Sequence, residues 1–189
     1  MAKGLTRVLE WVIVVYFASH IIITIFFDSQ AIMPSWLYPK VFLDLVRDYC
    51  IFMKDEMMAD PSAYPWFMSF VYGECLLQFP FFFVATYAFY KGSCKWIRIP
   101  AIIYSVHTAT TLQAIFAHMF FQDFTNSPHP GPVTLEERLK LAAIYCPYFF
   151  LPVLILLLML FSDDYKPAKS PEKPAVSTGT SRSRKHKTR

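Results

Sequence analysis

The sequence predicts an all-α integral membrane protein, a four-transmembrane-helix bundle with a ligand cavity and a luminal amphipathic helix. Three observations predict it. Four apolar runs, 8–27, 66–90, 97–121 and 139–161, each reach the roughly 20 residues that a bilayer crossing needs. Lysine and arginine alternate in density between the connections, as the positive-inside rule requires of a multi-span chain. Each run also places its few polar residues on one helical face. The composition agrees: 55% of the 189 residues are hydrophobic and 17% are charged, too apolar a balance for an ordinary soluble domain.

The first element is the span over 8–27. It follows Lys3 and Arg7, and it carries Glu10, His20 and Thr24 with no clear small-residue cleavage site after it. It is therefore read as a retained span rather than a signal peptide. Residues 1–7 form a short cytoplasmic N-terminus. Between 28 and 65 lies a long connection with three basic and six acidic residues. Within it, Val41, Phe42, Leu45, Val46, Tyr49, Phe52 and Met53 share one face of a helix from Pro39 to Asp55. Charged residues take the other face, so the helix either rests on the membrane surface or lids the bundle.

The second and third spans are joined by a short basic connection with Lys91, Lys95 and Arg98. The 122–138 loop has one basic and three acidic residues, and Thr134 to Glu137 forms a capping-box pattern ahead of the fourth span. Residues 8–162 thus make one membrane domain. From Asp163 to Arg189 the chain is polar and aperiodic, which predicts a disordered basic cytoplasmic tail. That tail holds most of the +4 net charge, which needs no nucleic acid to explain it. Both termini are expected in the cytoplasm. Lys185 and Lys187 stand fifth and third from the end, a K-x-K-x-x pattern for retrieval to the endoplasmic reticulum membrane. The nuclear envelope and endolysosomal membranes are further expected locations.

Candidate functional residues follow from the polar stripes. Tyr16, His20, Thr24 and Asp28 recur every four residues; Glu74 and Gln78 are an i, i+4 pair; Tyr104, His107, Thr108 and Thr111 share a face; so do Tyr145 and Tyr148. Many such residues only join helices. The two acids are different, because a carboxylate at membrane depth is costly and marks a functional site by default. Asp28 closes the first span and Glu74 lies about 12 Å inside the second, at the same side. Two carboxylates in low dielectric are expected to share one proton. Asp28, nearer water, is read as the anion and Glu74 as the proton donor, an arrangement suited to an organic cation with aromatic walls. Pro80, Pro100, Pro147 and Pro152 interrupt the spans and favour a cavity over tight packing. Cys50, Cys75, Cys94 and Cys146 form no C-x-x-C pair, and no metal ion or other cofactor is expected.

The stretches Tyr16-Phe17-Ala18-Ser19-His20, Gln78-Phe79-Pro80-Phe81-Phe82 and Ala85-Thr86-Tyr87-Ala88-Phe89, with 91–98 and 100–108, carry a resemblance. From Glu10 to Asp164 the chain resembles the emopamil-binding-protein-like (EXPERA) family. The resemblance implies a four-helix bundle whose cavity opens toward the bilayer, binding oxysterols and other sterols and cationic amphiphilic amines, with a part in cholesterol homeostasis. It places the amine-pairing acid on Asp28 and its partner on Glu74. It places cavity-lining positions on Gln78, Thr111, Tyr145, Tyr148, His20, Tyr49 and Met58, and structural support on Asp55. It also implies a homodimer, contact with membrane lipid, and a link to the Niemann–Pick C1 cholesterol transporter. The family's isomerases carry His and Glu four residues apart on the second span. Here those positions are Glu74 and Gln78, and Gln is neither acid nor base. The expected function is a non-enzymatic receptor. The alternatives are a sterol Δ8–Δ7 isomerase and a non-catalytic scaffold that regulates a cholesterol transporter.

Overall fold

Each apolar run folds into a helix, because in hydrocarbon the backbone must satisfy its own hydrogen bonds. The computed structural model describes residues 3–166. Helix α1 (Lys3–Phe26) leads into a 3-10 turn at Asp28–Ala31. Two short helices follow, α2 (Lys40–Met53) and α3 (Glu56–Ala59). The second crossing is built from α4 (Pro65–Gly73), a turn of π-helix (Glu74–Gln78) and α5 (Phe79–Lys91). The third and fourth are α6 (Arg98–Phe121) and α7 (Leu135–Phe161). Four helical stretches, Gly4–Ala31, Pro65–Lys91, Lys95–Phe121 and Leu135–Phe161, are long and apolar enough to span a membrane. Helix α1 packs chiefly along α5, and α6 along α7. Their outer faces stay apolar as well: Val15, Leu76, Ile103 and Phe161 are exposed, as expected of a bundle immersed in lipid.

Two apolar clusters divide the bundle. At the end where Arg7 and Tyr165 meet Glu10, Ile13, Phe17, Phe82, Phe89 and Ile155 are buried together with Tyr104. Phe17 stacks on Phe89, with ring centroids 6.2 Å apart. At the opposite end, beneath the long loops, Met53, Phe67, Leu112, Met119 and Leu141 form the second cluster. The candidate site lies between the first cluster and this loop end.

Pro80 explains the π turn. It has no N–H to give Leu76, and its ring crowds that carbonyl, so regular α-helix cannot run through the preceding turn. The chain widens instead, and the Phe79 N–H donates to the Glu74 carbonyl five residues back. Such turns often occur at functional sites.

The loop end is closed by α2. Phe42 stacks on Phe26 at 4.4 Å, and Lys54 pairs with Glu137 at the start of α7. The capping box at that start is formed: Glu137 N–H donates to Thr134 Oγ1 at 3.3 Å, and the Glu137 carboxylate accepts from the backbone of Thr134.

The terminal end is more ordered than the sequence suggests, which corrects two boundaries. Residues 3–7 are part of α1 rather than a separate N-terminal segment. Asp163–Tyr165 form a 3-10 turn rather than the start of a disordered tail. The reason is Glu10. Only 2% exposed, it accepts from the Tyr165 hydroxyl, from Ser93 N–H at 2.8 Å and from Arg7 at 2.9 Å. Arg7 also donates to the carbonyls of Phe89 and Tyr90 at the end of α5. Gly92 permits this closure: its φ is +78°, and a β-carbon there would lie 2.6 Å from the Arg7 guanidinium. The expected retrieval residues Lys185 and Lys187, with 167–189, lie outside the described residues.

Candidate functional site

Asp28 and Glu74 reach one another from two different helices. Asp28 opens the 3-10 turn after α1, and Glu74 is the first residue of the π turn. They face a cavity of about 410 Å³. The lining is mostly apolar, with Phe67, Phe70 and Val71 from α4 and Leu112 and Ile115 from α6. Leu45, Val46 and Tyr49 of α2 roof it, so this helix lids the bundle. His20, Asp28, Tyr49, Met58, Glu74, Gln78, Thr111, Tyr145 and Tyr148 all line this one space.

Donors converge on Glu74. Thr24 Oγ1 donates to Glu74 Oε1 at 2.8 Å, and His20 Nε2 lies 3.4 Å from the same oxygen. Thr24 is 3.5 Å from Asp28 Oδ2, a much weaker contact for a hydroxyl with one proton to give. Asp28 therefore keeps acceptor capacity directed at the cavity, while one Glu74 oxygen is already engaged. Tyr148 packs edge-on against the His20 ring at 5.0 Å, extending the aromatic wall beside the acids.

Gln78 is fixed at both ends of its amide. Thr108 Oγ1 donates to Gln78 Oε1 at 3.1 Å, and Gln78 Nε2 meets His107 Nδ1 at 3.0 Å. Thr111 Oγ1 donates to the Thr108 carbonyl at 2.9 Å. The floor of the cavity is thus polar but satisfied by its own partners.

Asp55 stands apart from the lining. It is fully buried and caps α3 by accepting from Met58 N–H at 3.1 Å. The hydroxyls of Tyr49 and Tyr145 both donate to its Oδ2, at 2.9 and 2.7 Å. One carboxyl so ties α2, α3 and α7 together and fixes three lining residues. Burial pushes the Asp55 carboxyl above its usual range, against the lowering effect of these hydrogen bonds.

Two polar members of the site stand in the polar stripes of the sequence without being expected among the ligand-binding residues. Thr24 sits in the same stripe as His20 and Asp28, and its spacing of four residues from Asp28 was the available signal. Thr108 reads from sequence as helix-joining; it does join α6 to the π turn through Gln78, and it also lines the cavity. The apolar wall residues carried no signal that separates lining from core.

Comparison with known proteins places this architecture. Residues 41–159 match the family model EXPERA, the expanded EBP superfamily. Sigma intracellular receptor 2 of Xenopus tropicalis is 54% identical over 160 residues, covering 85% of this chain and 92% of that protein. Its counterpart from Homo sapiens is 49% identical over 168 residues, covering 87% and 94%. The efficient mitochondria targeting-associated protein 19 of Saccharomyces cerevisiae is 26% identical over 149 residues, covering 73% and 89%.

Proposed function

The chain belongs to the EXPERA family, and on that premise we propose that it is a non-enzymatic membrane receptor for sterols and cationic amphiphiles. The observation that carries this reading is Asp28, a carboxylate with free acceptor capacity facing a largely apolar cavity of about 410 Å³. Such a pocket falls in the size range of small-molecule sites, and its few polar groups would orient a ligand. The ammonium of an amphiphile pairs with Asp28. Glu74 holds one proton on the oxygen Thr24 leaves free and donates it to Asp28, so the pair carries one negative charge against one positive. Tyr148 lies beside the acids, and an aromatic face favours an organic cation. A sterol has no charge to offer and is held by the apolar walls, its hydroxyl turned to the acid end.

The endoplasmic reticulum is the proposed membrane, with both termini cytoplasmic and the α2 lid luminal. Homodimerisation, a contribution to cholesterol homeostasis and the link to the Niemann–Pick C1 transporter belong to the same reading. The test is competition in purified, detergent-solubilised protein. A neutral oxysterol should displace a labelled cationic amphiphile fully and at a single site. Simultaneous binding of both would overturn the shared cavity.

One observation favours a second reading, isomerisation of a sterol double bond. His20 Nε2 lies 3.4 Å from Glu74 Oε1, so a His–Glu pair exists in space although it is absent along the second span. Conversion of a labelled Δ8 sterol by the purified protein, lost in Glu74→Gln, would establish that activity.

A further inference from the structure

His107 touches the cavity wall from behind. It lies nine residues into α6, about 14 Å along the helix axis. It is half-buried and is not among the residues lining the cavity. An ionisable side chain at that depth in a membrane marks a functional position by default. Its ring lies over Gly73, the residue before Glu74: a β-carbon there would stand 3.5 Å from His107 Cε1 and 3.7 Å from Nε2. Its Nδ1 meets Gln78 Nε2 at 3.0 Å, across the seam between α6 and the π turn. An amide nitrogen can only donate, so Nδ1 is the acceptor and the ring proton sits on Nε2, beside Gly73.

We propose that His107 is a positioning residue that sets the cavity's affinity for neutral hydroxysterols, by holding the Gln78 amide from outside. This rests on the reading of the cavity as a shared site for sterols and cationic amphiphiles. Gln78 lines the cavity and is 8% exposed. Thr108 Oγ1 donates to its Oε1 at 3.1 Å, and His107 takes one of its two N–H groups. The amide is fixed in plane, with one N–H and one lone pair left over in set directions. A threonine hydroxyl can donate or accept, so Thr108 alone would tolerate either orientation of the amide. His107 Nδ1 in this tautomer only accepts, and it decides between the two. A neutral sterol brings hydroxyls and no charge, so its affinity depends on a partner whose donor and acceptor are already oriented. An ammonium pairs with Asp28 and draws little from the amide. Gln78 and His107 stand on different spans, which is why no local pattern in the sequence points to the pair.

The test uses purified full-length protein in detergent, with a labelled cationic amphiphile and a labelled oxysterol each measured directly. His107→Phe keeps a ring over Gly73 and removes the acceptor. Oxysterol affinity should fall about tenfold, as for the loss of one well-placed hydrogen bond to a buried amide, while amphiphile affinity changes less than about twofold. Asparagine carries a side-chain oxygen close to where Nδ1 stands, so His107→Asn should return oxysterol affinity to within about threefold of wild type. A packing role alone gives the opposite order, with Phe close to wild type and the smaller Asn weaker for both ligands; that order overturns the proposal. In a Gln78→Leu background, His107→Phe should change oxysterol affinity less than about twofold, and an undiminished effect there also overturns it. His107→Leu, smaller than Phe, supplies the same contrast should the Phe variant bind neither ligand. A wild type that binds the amphiphile but no oxysterol removes the shared-site reading and this proposal with it. A wild type that binds both, with the same affinity ratio in His107→Phe, removes the proposal alone.

Discussion

Asp55 shows how one side chain can shape a site that it does not line. Its carboxyl holds Tyr49, Met58 and Tyr145 against the cavity. Tyr145→Phe keeps the ring but removes a donor from a fully buried acid, which should lower stability by about 1–3 kcal/mol. Thermal unfolding would read that loss, and amphiphile binding should weaken because the roof of the cavity loosens. An unchanged melting temperature would show that the hydroxyl contributes nothing. Asp55 also makes stability depend on pH. Burial raises its carboxyl, so the folded protein binds this proton more readily than the unfolded chain. That contribution is fully present below the unfolded value of about 3.9 and is lost as pH rises through the folded one. The melting temperature of the wild type relative to Asp55→Asn should therefore fall as pH increases from about 4; a constant difference would contradict the burial argument. At this scale the sequence was informative where chemistry stood out. Asp28 and Glu74 were legible as acids in apolar runs, and His20 and Thr24 by their spacing. Glu10 was visible in the first span, yet its partners Ser93 and Tyr165 lie far along the chain and no local pattern points to them.

Among the elements, the π turn has the most direct bearing on the site. Pro80 forbids regular α-helix there, and the widened turn sets where Glu74 points relative to α5. Pro80→Ala restores the missing donor and should let the turn tighten toward α-helix. The Glu74 side chain would rotate away from Thr24 and Asp28. Amphiphile affinity should drop about tenfold, or about 1.4 kcal/mol, while the helix itself gains stability. Unaltered affinity would show that the π turn does not position Glu74. The four spans and the amphipathic α2 were readable from hydropathy and period, because a bilayer leaves helices few alternatives. The prolines signalled interrupted helices, but whether the chain kinks or widens depends on what packs beside it. The Asp163–Tyr165 turn was illegible for a related reason: its order comes from the buried Tyr165 hydroxyl meeting Glu10, not from any periodicity of its own.

For the whole molecule, the two apolar clusters leave the cavity toward the loop end, walled by four crossings and roofed by α2. Lys3 and Lys166, the first and last described residues, lie at one end of the bundle, opposite α2 and α3. Glycosylation acceptor sites introduced in the 28–65 connection should be modified in cells, and sites at either terminus should not, if that loop end is luminal. The reverse pattern would invert the proposed topology. The central claim is that Asp28 pairs with a cation while the apolar walls hold a neutral sterol. Its most direct test is the affinity of purified wild type and Asp28→Asn for a cationic amphiphile and for a neutral sterol, measured side by side. Removing one partner of a largely desolvated charge pair forfeits about 3 kcal/mol or more, so amphiphile affinity should fall at least about 100-fold in Asp28→Asn while sterol affinity changes much less. Equal amphiphile affinity in the two proteins would contradict the account.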